Sequence, residues 1–179
     1  MAQNATLDGT SDRGEWTDGF GGTSNIHTSA DTTTAGSDYI QGEVGFASAP
    51  VGPAIFTLSD VDDPETDSDH KIKYTALAYV GGMGFGGAPP FTIALFEGTT
   101  QRHTTTNSSV NTSSATEYTI TLSDGEANSI TDYDNLLLRV TNGGSEMGDN
   151  IKIYNMYFEC PDAPAAAATT SPAFLLFLE

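Results

Sequence analysis

The sequence predicts an all-β protein, a jelly-roll-like antiparallel β-sandwich with an irregular N-terminal arm and a short C-terminal strand. Three observations carry the prediction. Aromatic and β-branched residues recur in short runs that alternate with polar residues at a period of two, the signature of a strand with one buried face. Clusters of glycine, proline, serine, asparagine and aspartate separate those runs, and these residues make turns and interrupt helices. No segment carries the sustained 3.6-residue apolar period of an amphipathic helix. At 179 residues the chain is long enough for one domain with its own core.

Residues 1–37 are rich in Gly, Ser, Thr, Asn and Asp, with Trp16, Phe20 and Ile26 as isolated apolar points, and read as an extended arm or irregular hairpin. The folded body, residues 38–160, opens with strands in "DYIQGEVGF" and "AIFTLS", joined by the turn-forming "ASAPVGP". After the acidic loop "DVDDPETDSD", Ile72, Tyr74, Ala76, Ala78 and Val80 share one parity, and Lys71, Lys73 and Thr75 the other. "GGMGFGGAPP" is a loop, because its glycines and paired prolines cannot sustain a ladder. Phe91, Ile93 and Leu95 then form one face of a strand that turns at Glu97 to Thr99.

In "EYTITLSDGEANSITDYDNLLLRV", Tyr118, Ile120 and Leu122 alternate with polar residues. Ser123 and Glu126 have capping-box spacing and open a helix of about two turns across one end of the sheets. Leu136, Leu138 and Val140 resume the alternation, and "NIKIYNMYFEC" is the last long strand. Roughly eight to ten strands of this length suit two packed antiparallel sheets. Residues 161–179 are a low-complexity linker followed by an apolar docking strand, Phe174, Leu175, Leu176 and Phe177.

The charge excludes some classes of partner. With 24 acidic and 6 basic residues the formal net charge is −18, which repels phosphate backbones and anionic lipid surfaces, so no nucleic-acid or membrane partner is expected. A membrane span needs about 20 apolar residues, and no run approaches that length. The first residues carry neither a basic nor an apolar signal region, so use without a standard export signal is expected. Cys160 is the single cysteine, which excludes an intrachain disulfide and reads as a packed thiol.

Several constellations could carry chemistry. Asp60, Asp62, Asp63, Asp67 and Asp69 place hard oxygen ligands on one loop, as calcium requires, although Pro64 breaks the EF-hand pattern and a solvated acidic turn is the favoured reading. Glu97 and Glu117 are the candidate carboxylate pair for glycoside hydrolysis, disfavoured by their solvent-facing positions. His70 and His103 read as structural or surface histidines in the absence of a nucleophile elbow. Met83 and Phe85 could anchor their glycine-rich loop to a neighbour. Trp16 with Tyr74, Tyr79, Tyr133, Tyr154 and Tyr157 could form a sugar-binding platform, against the commoner role of packing in or beside a core. Trp16 and the apolar tail are the candidate assembly contacts, the tail adding a strand to its own sheet or to a neighbour's.

The segments "LSDVDDP", "DHKIKYTALA", "LFEGTT", "TEYTITLSDGEANSITDYDNLLLRV" and "YFECPDA" resemble a β-sandwich module of tailed bacteriophages and related tailed viruses, over about residues 38–163. The resemblance implies a non-enzymatic virion structural protein, most readily a head decoration protein that stabilises the shell. It brings no catalytic residues and no cofactor. The expected partners are the major capsid protein or other virion proteins and further copies of the chain, with a homotrimer suspected. The expected location is the virion surface, after synthesis in the host cytoplasm. The alternative is a tail- or head-fibre adhesin module that binds a host receptor or glycan. A secreted glycoside hydrolase is the third and weakest reading.

Overall fold

The computed structural model describes residues 2–45, 50–82 and 87–165, and these form a jelly-roll-like antiparallel β-sandwich. Ten strands contribute: β1 (Ala2–Asp12), β2 (Thr17–Asp18), β3 (Ile40–Glu43), β4 (Val51–Leu58), β5 (Lys71–Tyr79), β6 (Phe91–Glu97), β7 (Thr100–Asn107), β8 (Thr116–Thr121), β9 (Leu136–Asn142) and β10 (Asn150–Pro161). The front sheet runs β1-β4-β9-β6-β7. The back sheet runs β2-β3-β10-β5-β8, with the first half of β1 pairing β10 beyond the end of β3.

From β3 onward each strand passes to the opposite sheet except in the β6–β7 hairpin. Its turn places Gly98 at φ 55, a left-handed conformation that glycine adopts without a Cβ penalty. The alternation read from the sequence sets which face is buried. Phe56, Phe91, Ile93, Leu95, Leu138 and Val140 of the front sheet meet Ile72, Tyr74, Ile151, Ile153, Met156 and Phe158 of the back sheet in one core.

Residues 1–37 are more than an arm. Ala2–Asp12 is a long strand that pairs with β10 through Thr6 and with β4 from Leu7, so it joins the two sheets. The irregular stretch that follows is pinned to the body by two of its three apolar points. Ile26 is buried, and Trp16 is fully buried over Gly42, where an added Cβ would lie 2.8 Å from Trp16 Cε2. The Trp16 indole N–H donates to the Gly52 carbonyl at 3.0 Å. The third point, Phe20, is 90% exposed.

Two further differences have local causes. Val51, Gly52 and Pro53, expected as a turn, belong to β4, whose ladder with β9 is irregular between Val51 and Ala54, the kind of position where a sheet tolerates proline. The helix after Ser123 is one turn, α1 (Asp124–Ala127), closed by a complete capping box. A separate 3-10 turn, Tyr133–Asn135, leads into β9.

Buried polar groups bridge the two layers. Asn142, at the end of β9, donates to the carbonyls of Gly42 (2.8 Å) and Asp149 (3.2 Å) and accepts from the Gly144 N–H, which satisfies its fully buried amide. Under the acidic loop, His70 Nδ1–H donates to the Ser68 carbonyl, so Nε2 accepts from the Tyr133 hydroxyl at 2.7 Å. Burial lowers the His70 pKa from its usual 6.5 and raises that of Tyr133.

Candidate functional site

β9 is the central strand of the front sheet, and its inward residues Leu136, Leu138 and Val140 are core. Its outward residues are therefore Leu137, Arg139 and Thr141. Arg139 pairs with Ile55 on β4 and with Ala94 on β6, and Ala94 in turn pairs with Thr104 on β7. In the row on one side, Leu137 lies between Thr57 and Phe96. In the row on the other, Thr141 lies beside Thr92, whose hydroxyl is 2.8 Å from that of Thr106.

These rows line two adjoining cavities on the outer face that share Arg139, together called the groove below. A cavity of about 290 Å³ is walled by Ser11, Ile55, Phe96, Thr99, Leu137 and Arg139. A second, of about 210 Å³, is walled by Thr92, Ala94, Gln101, Thr104, Thr141 and again Arg139. One end is apolar, the other is carpeted with hydroxyls and an amide, and a guanidinium stands between them. The small side chain of Ala94 leaves room beside it.

Arg139 is electrostatically unusual in this chain. Lys71 and Lys73 pair with Glu159, Arg102 pairs with Glu97, Lys152 lies 4.2 Å from the ring centre of Tyr39 and 4.8 Å from that of Tyr79, and Arg13 donates to the Trp16 carbonyl. Among the described residues Arg139 has neither a salt bridge nor a hydrogen bond, and its Nε is buried without an acceptor. No carboxylate lines either cavity. Glu97, next to the rim residue Gly98, is engaged on the far side. Burial alone would raise its pKa, but hydrogen bonds from Thr131 and the Arg102 guanidinium hold it below the usual value.

The residues singled out from the sequence fall elsewhere. Among the described residues no three His, Cys, Asp or Glu side chains are grouped to hold a metal ion, those of Asp60, Asp62, Asp63, Asp67 and Asp69 included. Several of them serve the loop itself. Asp63 accepts the Glu65 N–H, Asp62 exchanges backbone hydrogen bonds with the Gln3 amide, and Asp69 lies 3.7 Å from Lys71. Glu97 and Glu117 are on different sheets and make no carboxylate pair. His103 is bonded to the helix-capping Glu126 at 2.8 Å.

Trp16, expected at an assembly contact, is buried within its own chain, and Phe174, Leu175, Leu176, Phe177, Met83 and Phe85 lie outside the described residues. The aromatic platform does not form either. Tyr74, Tyr133 and Tyr157 are buried with Trp16, while Tyr79 and Tyr154 flank Lys152 on the back sheet. Cys160 is buried, its thiol pushed up to about 12 by desolvation. Arg139 was not among the candidates. The signal for it was present: in "NLLLRV" it is the one basic residue, on the parity opposite the core leucines.

No family model and no curated protein matches the chain. Several solved structures are similar in fold. A xylan-binding module, CBM15, is 11% identical with a TM-score of 0.49, over 92% of this chain and 99% of that one. TmCBM61, solved with β-1,4-galactotriose, is 9% identical with a TM-score of 0.41, over 88% and 86%. A cyclase from Fischerella sp. TAU is 14% identical with a TM-score of 0.44, over 92% and 100%.

Proposed function

We propose that this chain is a non-enzymatic virion structural protein of a tailed virus and that it acts as a receptor-binding module whose ligand is a saccharide held in the front-sheet groove. The virion assignment rests on the sequence resemblance over residues 38–163. The observation that carries the binding role is the groove across the central strand, with an apolar wall at Ile55, Phe96 and Leu137 and a hydroxyl-rich wall at Thr92, Thr104 and Thr141. Sugars present apolar ring faces and polar edges, which an apolar wall beside a hydroxyl-rich one can meet together.

The test is saturable binding of the purified full chain to an oligosaccharide array and to host cells, with product analysis of every bound sugar. Binding without bond cleavage supports the module. Cleavage would restore a hydrolase, and attachment to capsids without any glycan dependence would favour decoration.

Head decoration, with the major capsid protein as partner and a trimer as the unit, is the second reading, and one observation favours it. Phe20 sits at the tip of a turn built by Asp18, whose carboxylate accepts the N–H groups of Phe20 (2.8 Å) and Gly22 (2.6 Å). A preformed turn that displays a phenyl ring in water gains by burying it against a neighbour. Loss of capsid binding in Phe20→Ser, with the fold intact, would raise this reading above the first.

A further inference from the structure

We infer that the groove selects a saccharide bearing a carboxylate, and that Arg139 is the residue that recognises it. This rests on the saccharide-binding reading and specifies the ligand class.

A guanidinium offers five N–H donors in a planar fork that matches a carboxylate, and Arg139 has none of them satisfied by described residues. No described residue supplies an acceptor to this fork, and a carboxylate laid against it supplies two. The position is central. Arg139 belongs to both cavities, so a chain lying along the groove brings one ring's substituent over it whichever way it enters. Ile55, Leu137 and Phe96 offer a surface for the face of one ring, and Thr92, Thr104, Thr141 and Gln101 offer partners for the hydroxyls of the next.

The net charge of −18 opposes an anion at long range. That repulsion acts over a screening length of about 8 Å at physiological salt, whereas the fork acts at contact, among uncharged neighbours. An arginine with no partner among the described residues, in a groove lined otherwise by uncharged side chains, therefore discriminates by contact and gives no long-range attraction, so polyanions in general are not captured.

The experiment uses the full chain and a panel of uronic- and sialic-acid-bearing oligosaccharides, each beside its carboxyl methyl ester, with affinities measured by calorimetry. The expected result is that at least one acid binds and its ester binds roughly ten- to a hundredfold more weakly. Arg139→Gln erases the difference between acid and ester, and Arg139→Lys recovers part of it. Ala94→Leu fills the groove while keeping the charge, and it abolishes binding of the acid. Thermal unfolding of each variant confirms that it is folded.

If acids and esters bind alike and Arg139→Gln changes neither, the carboxylate inference falls while the saccharide module stands. If no member of either series binds, both fall together. If the wild-type chain instead binds a virion protein and Arg139→Gln abolishes that, the groove takes an acidic side chain of a protein partner, and the inference is overturned in that direction.

Discussion

Tyr133 and His70 show how one buried hydrogen bond can be worth more than its area. The hydroxyl of Tyr133 is the partner of His70 Nε2, and His70 is fully buried. Tyr133→Phe leaves that nitrogen without a donor, at a cost of about 1–3 kcal/mol that chemical denaturation will read. The pH dependence follows from the lowered His70 pKa. The unfolded histidine takes up its proton near 6.5 and the folded one only at lower pH, so stability is full above 6.5 and declines as pH falls below it. His70→Gln should flatten this part of the profile. Arg139 makes the complementary point at the same scale: it is half-buried and its Nε has no partner among the described residues, whereas both ring nitrogens of the fully buried His70 are satisfied.

Among the elements, α1 is the one whose stability is set by its ends. Ser123 Oγ accepts the Glu126 N–H, and the Glu126 carboxylate accepts from the Ser123 N–H and hydroxyl, each at 2.8 Å. These bonds, with the contact to His103, hold the Glu126 pKa down from 4.5 to about 2. Its contribution is therefore complete above pH 4.5 and is lost as pH falls toward 2, a window separate from that of His70. Ser123→Ala should lower stability by about 0.5–2 kcal/mol, and Glu126→Gln should remove the pH dependence between 4.5 and 2, both measured by denaturant titration across pH. The β3 strand makes a different prediction. Gly42→Ala places a Cβ 2.8 Å from the Trp16 ring, and the ring, locked by its hydrogen bond to Gly52, has little room to move. The variant should be destabilised by about 1–3 kcal/mol, with the indole fluorescence shifted red as Trp16 loosens.

At the scale of the whole molecule, charge and topology dominate. With a formal charge of −18 the folded chain repels itself, so its melting temperature should rise as sodium chloride is raised from 10 mM toward 1 M, and an unchanged value would show that the acids are already far enough apart. The sequence by itself determined the all-β class, the strands that make the sandwich body, their buried faces and the capping box, because period-two alternation and N-cap spacing are local properties. It did not determine that Ala2–Asp12 is a strand, since that polar segment forms one only because two exposed sheet edges, those of β10 and β4, are offered to it. The fate of the singled-out residues was also decided by tertiary structure. Trp16 was legible as apolar but its pocket is made by distant Gly42 and Gly52, and whether aspartates close in sequence also group in space is set by the loop that carries them. The groove itself depends on Ile55, Ala94, Thr104 and Arg139, which come from four different strands. Such a site exists only once register aligns the strands, because adjacency across a sheet is fixed by backbone pairing between residues far apart in the chain.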